Sequence, residues 1–228
     1  MDSAAPQPVD DLHLENGFRV SGLLERPANA RALFVMAHGA GAGMRHAFLS
    51  QASAALAERG IASLRYQFPY MEENGGRPDP PALCHATVRA AVAWAGKLQP
   101  ALPLIAGGKS FGGRMTSQAQ AAEPLPGVRG IAFLGFPLHP PKKPSLARAD
   151  HLSEVHLPML FLQGTRDALA DMQLTRLTVE RLGNRASLIP IDGADHAFHV
   201  LARSGRTDAE VLRQIADALG AWIDSIVR

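Results

Sequence analysis

Residues Leu104–Gly113, LIAGGKSFGG, admit two readings with opposite consequences. Gly108-Lys109-Ser110 ends a phosphate-binding P-loop, while Gly108-Lys109-Ser110-Phe111-Gly112 is a G-x-S-x-G elbow that lifts a nucleophilic serine off the end of a strand. A P-loop also needs a glycine five positions earlier, because its backbone amides wrap the phosphates over that distance. Pro103 stands there, and Leu104-Ile105-Ala106 reads as strand right up to Gly107, which leaves no room for a phosphate cradle. The elbow meets its own requirements. A serine at so sharp a strand-to-helix turn takes a strained conformation, tolerated when the residues two before and two after it lack bulk. Gly108 and Gly112 are those residues, and Gly107 and Gly113 add room.

Outward from the elbow, short aliphatic runs alternate with stretches of helical period from Arg31 onward, the pattern of a parallel sheet with helices on both faces. The expected buried strands are Ala32–Ala37, Ile61–Leu64, Leu102–Ala106, Gly130–Leu134, Met159–Leu162 and Ser187–Ile191. Helices are expected over Phe48–Arg59, Ala82–Lys97, Phe111–Ala122, Met172–Leu182 and Asp208–Val227. Before them, His13-Leu14-Glu15 and Phe18-Arg19-Val20 flank Asn16-Gly17 and predict an antiparallel edge. No repeat or linker divides the chain, so residues 1–228 are read as a single domain. Ligands of open α/β sheets bind beyond the carboxyl ends of the strands, so the residues there carry the functional argument.

Two such ends complete the serine. Gln163-Gly164-Thr165-Arg166-Asp167 follows one strand and Asp192-Gly193-Ala194-Asp195-His196 follows another, which gives the chain order Ser110, Asp167, His196. A serine hydroxyl is a poor nucleophile at neutral pH, so His196 has to take its proton while Asp167 holds the imidazole in the right tautomer. The developing oxyanion needs two donors: the amide of Phe111, at the N-terminus of the helix after the elbow, and one from His38-Gly39-Ala40-Gly41-Ala42-Gly43, assigned to Ala40. Gly39 and Gly41 let backbone approach a substrate there, and Tyr70 and His139 are placed in substrate binding at the rim.

The segments VMAHGAGAGM, LRYQFPYMEENGG, IAGGKSFGGRM, LGFPLHPP, LQGTRDAL and DGADHAFH resemble a group of small α/β-hydrolase-fold proteins related to dienelactone hydrolases, testis-expressed hydrolase-like proteins among them. The likeness runs from about Leu33 to the C-terminus. It implies the α/β-hydrolase fold, a mostly parallel central sheet of about eight strands, with Ser110, Asp167 and His196 catalytic. Dienelactone hydrolases proper carry a cysteine where Ser110 stands, so the likeness does not extend to dienelactone as substrate. Between Leu134 and Met159 lie 24 residues, too few for a large helical cap. The expected activity is cleavage of an ester, thioester or lactone of a small molecule. A silent binding module or an acyltransferase on the same triad is the alternative.

Composition closes off other classes. No apolar run is long enough to span a bilayer, and the net charge of +2 is spread along the chain without the basic cluster that nucleic acid requires. The Met1–Pro6 segment lacks the features of a secretory signal, which predicts a cytoplasmic address. No cofactor is implied, and the oligomeric state is not legible. Cys84 is the single cysteine and is read as a buried, inert thiol. Asp171 is expected to cap a helix and Asp195 to shape a turn, while His199 beside His196 lacks the companions of a metal site. His38 is expected to pack below the oxyanion loop, Lys109 and Arg114 to flank the nucleophile, and Arg65, Tyr66 and Phe68 to reach the rim or the core.

Overall fold

The computed structural model describes residues 5–14, 17–73 and 75–227. Asn16 and Glu15, which enter the expected turn and first strand, and the Met1–Ala4 segment lie outside the described residues. Eight strands form one sheet: β1 Gln7–His13, β2 Arg19–Glu25, β3 Ala32–Ala37, β4 Ile61–Tyr66, β5 Leu104–Lys109, β6 Val128–Leu134, β7 Met159–Gly164 and β8 Ala186–Ile191. Their order is β1-β2-β4-β3-β5-β6-β7-β8, with β2 antiparallel to both of its neighbours, β1 and β4, and the other pairs parallel. The helices are α1 Ala47–Ala57, α2 Pro69–Glu72, α3 Pro81–Leu98, α4 Phe111–Ala122, α5 Met172–Leu182 and α6 Asp208–Ile226.

The two-residue alternation of a strand sorts the aliphatic residues into two cores. Leu33 and Val35 of β3 face one side with Phe133 and Phe161, packed against Val88, Val92, Met115 and Ala119 of α3 and α4. Phe34 and Met36 face the other with Ile105 and Leu160, packed against Leu49 and Leu56 of α1 and Ile215, Leu219 and Ile223 of α6. Both faces of the central strands are therefore dry, which is why those strands read as continuous aliphatic runs.

Several boundaries differ from expectation, chiefly where a neighbouring strand extends the pairing. β5 runs on through Gly107, Gly108 and Lys109 because these pair with Ala132, Phe133 and Leu134 of β6, and the two glycines pair with Met36 and Ala37 of β3. Their glycine content reads as loop in isolation, but the neighbours on both sides make it strand. β4 likewise extends to Tyr66 opposite Ala37 and Gly22, and β1 forms upstream of the expected segment, ending at His13. The connection from β6 to β7 carries only a short 3-10 helix, Ala147–Glu154, among its elements. Among the described residues no helix is long and apolar enough to cross a membrane.

Candidate active site

β3 leads left to β4 while β5 lies to its right, so the sheet reverses direction between β3 and β5. A crevice opens at such a switch point, and the elbow after β5 stands in it. Ser110 has φ 51 and ψ −116, a conformation that L-residues avoid. The glycines make it possible by close approach. A β-carbon at Gly108 would lie 2.2 Å from the Ala37 oxygen, and one at Gly112 would lie 2.5 Å from the His38 oxygen. Both halves of the elbow therefore rest directly on the end of β3, and α4 begins with its N-terminus beside Ser110.

The loops after β7 and β8 bring the partners. His196 Nε2 is 2.7 Å from Ser110 Oγ, and His196 Nδ1 is 2.6 Å from Asp167 Oδ2. Asp167 is buried and fully engaged: its Oδ1 accepts from the Leu169 amide at 2.7 Å, and its Oδ2 also accepts from Gln163 Nε2 at 2.6 Å. An acceptor held by three donors fixes the imidazole with Nδ1 toward Asp167 and Nε2 toward Ser110 Oγ. Gln163 has no role in the sequence reading. Its signal was a polar side chain at the end of the otherwise aliphatic strand MLFLQG, where a wholly buried amide needs a partner.

The candidate oxyanion site is the gap between the elbow and the loop after β3. Among the described residues the amides of Phe111 and Ala40 find no hydrogen-bond partner, whereas the Gly41 amide donates to the Tyr70 hydroxyl at 3.0 Å. That loop is held from beneath. The His38 ring bonds the Gly39 carbonyl through Nδ1 and accepts the Phe68 amide at Nε2, and burial lowers its basicity to about 4, so it stays neutral. Gln67 Oε1 accepts from the Met44 amide at 2.8 Å, and Arg65 Nη1 donates to the Met44 carbonyl at 3.2 Å.

A family model described as the alpha/beta hydrolase domain matches residues 30–224. The chain belongs to the alpha/beta hydrolase family. Similar solved structures share the fold. The dienelactone hydrolase of Anabaena variabilis superposes with a TM-score of 0.77 at 20% identity, over 98% of this chain and 99% of its own. A serine hydrolase without lid from Xanthomonas campestris gives 0.73 at 19% identity, over 97% of both chains. The esterase domain of a Rhodothermus marinus protein gives 0.71 at 17% identity, over 95% and 97%.

Two residues of this hydrolase expected at the rim are buried in the structure and hydrogen-bonded to backbone. The Tyr70 hydroxyl accepts the Gly41 amide and so braces the loop after β3. His139 is buried with both ring nitrogens occupied: Nδ1 bonds the Pro140 carbonyl and Nε2 accepts from the Asp171 amide at 2.8 Å. It joins the loop after β6 to the segment that leads from Asp167 into α5. Arg65, Tyr66 and Phe68 are likewise buried in the body of the hydrolase. Gly39 lies against the nucleophile, a β-carbon there standing 3.9 Å from Ser110 Cβ, and Gly41 faces open space.

The neighbouring polar residues fall where local chemistry puts them. Asp171 caps α5 by accepting from the Gln173 and Leu174 amides. Asp195 accepts from the Ala197 and His199 amides and so shapes the turn that presents His196. His199 turns away from the site to pair with Asp208 at 2.8 Å. Burial pushes the Cys84 thiol up to about 12, which leaves it unreactive at neutral pH. Lys109 points its ammonium at the backbone carbonyl of His196, 2.5 Å away.

Proposed function

We propose that this hydrolase cleaves an ester, thioester or lactone of a small molecule through an acyl-enzyme on Ser110. The single observation that carries the reading is the continuous hydrogen-bonded line from Ser110 Oγ through His196 to Asp167, with a strained serine at its head. Ser110 Oγ attacks the carbonyl carbon while its proton passes to His196 Nε2. Asp167 stabilises the resulting imidazolium, and the Phe111 and Ala40 amides receive the oxyanion. Collapse of the tetrahedral centre breaks the bond to the leaving group, which takes the proton from Nε2. Water then gives a proton to Nε2 and attacks the acyl carbon. The free acid departs as Ser110 Oγ recovers the proton. Every step uses a protein group or water, so the scheme needs no cofactor.

The short connection between β6 and β7, with its 3-10 helix alone, supports an open site and accessible acyl groups. The Xanthomonas neighbour described as without lid is consistent with that. The test is rapid mixing with p-nitrophenyl acetate, butyrate and octanoate, with thioester and lactone analogues in parallel. A burst of p-nitrophenol equal to the enzyme present, with faster turnover of the short esters, is the expected result. Flat traces across all three substrate classes would contradict the reading, and an added alcohol that captures the acyl group in preference to water would convert it to acyl transfer.

A further inference from the structure

Lys109 precedes the nucleophile, yet its side chain reaches away from Ser110 into the loop that carries the base. Besides donating to the His196 carbonyl, its Nζ lies 5.2 Å from the centre of the Phe198 ring and 6.0 Å from that of Phe48. Those rings stack on each other at 5.4 Å, and Phe198 adopts φ 66, a left-handed conformation uncommon for a bulky residue. The loop after β8 is thus folded over the ammonium. On the other side, a β-carbon at Gly135 would stand 3.1 Å from Nζ and 3.7 Å from His196 Cε1 and Nδ1. Ammonium and imidazole both border Gly135, a residue with no side chain.

We propose that Lys109 is a positioning residue for the general base, tying the backbone of His196 to the strand that leads into Ser110. The inference rests on the triad reading above. It follows from where the two groups sit. Lys109 belongs to β5, paired with β6, whereas His196 lies on a loop, and catalytic distances need a rigid reference. A misplacement of about 1 Å at the reacting atoms costs on the order of a hundredfold in rate.

The charge of the tie is set by its surroundings. Asp167 from the loop after β7 and Asp195 from the loop after β8 face the ammonium and favour its charged form. α1 contributes Phe48 and the end of β6 contributes Gly135, neither of which titrates. Burial works in the opposite direction and lowers the amine from 10.5 to about 8, so the group is still a cation at neutral pH.

The test compares wild type, Lys109→Met, Lys109→Gln and Lys109→Arg in fluorophosphonate labelling and in the kcat and KM of p-nitrophenyl acetate hydrolysis. In Lys109→Met, kcat falls about 10- to 100-fold with KM within about twofold. Lys109→Arg restores kcat. Lys109→Gln recovers part of kcat through its amide donor, and it carries the comparison where the Met variant does not fold. Wild-type kcat in both neutral variants would overturn the proposal while leaving the triad standing. A wild type that fails to label would remove the triad, and the proposal with it.

Discussion

Replacing Asp167 with Asn changes one oxygen into an amide, and the contacts around it dictate which one. Asp167 Oδ1 accepts the Leu169 backbone amide at 2.7 Å, a donor that cannot be reversed, so the Asn oxygen has to take that position. The new NH2 then occupies the place of Oδ2, facing Gln163 and His196 Nδ1. Gln163 can adapt by turning its side-chain amide, because its Oε1 has no partner among the described residues. The imidazole has to become an acceptor at Nδ1, which moves its proton to Nε2 and points an N–H at Ser110 Oγ. A base already carrying a proton on that nitrogen cannot take another without forming an unpaired cation. Loss of the correct tautomer in triads of this geometry costs about 10⁴ in kcat, equivalent to about 5.5 kcal/mol of barrier. The assay is steady-state hydrolysis of p-nitrophenyl acetate beside a thermal melt. The fold should survive, since shape and volume are kept. A folded Asp167→Asn protein within about tenfold of wild-type kcat would refute the assignment of Asp167 as the residue that orients the base.

Three further outcomes follow from other parts of the site. Gly112→Ala places a methyl 2.5 Å from the His38 oxygen and 2.7 Å from Ala37 backbone and side-chain carbons, so a destabilisation of about 1–3 kcal/mol with near-complete loss of turnover is expected; an active variant with an unchanged melting temperature would show that the elbow does not rest on β3. Tyr70→Phe removes the acceptor of the Gly41 amide and should lower kcat about fivefold at constant KM, the effect of about 1 kcal/mol at the oxyanion loop; a rise in KM alone would return Tyr70 to the substrate. The hydrogen bond between His199 and Asp208 raises the histidine above 6.5 and, with help from the Val200 amide, lowers the carboxylate below 3.8. The histidine's contribution is therefore complete below 6.5 and lost as pH rises through its raised value, while the carboxylate's is complete above 3.8 and lost as pH falls through its lowered value. Melting temperatures of wild type and His199→Ala should accordingly converge as the pH is raised from 6.5, and a constant gap would contradict the pairing.

What the sequence disclosed and what it withheld divide along contact range. The approach of Ser110, Asp167 and His196 to one another was legible because each follows a strand and the elbow glycines lie close to the serine they flank. The same holds for Asp171 and Asp195, whose partners lie within four residues. The hydrogen bonds of Tyr70 and His139 were not legible because their partners, Gly41 and Asp171, are 29 and 32 residues away, and an aromatic residue after a strand looks alike whether it lines a site or braces it. The length of β5 was hidden in the same way: glycines at 107 and 108 are strand only because β3 and β6 flank them. Lys109 shows the limit most clearly. Its place beside Ser110 was evident, but its bond to a carbonyl 87 residues further on was not.

The most direct test of the account is to treat the protein with a fluorophosphonate probe and map the adduct by peptide mass spectrometry, with Ser110→Ala and His196→Ala in parallel. The account predicts one adduct, on Ser110, absent from the first variant and strongly reduced in the second. A folded wild type with no adduct, or with an adduct on another serine that persists in both variants, would contradict it.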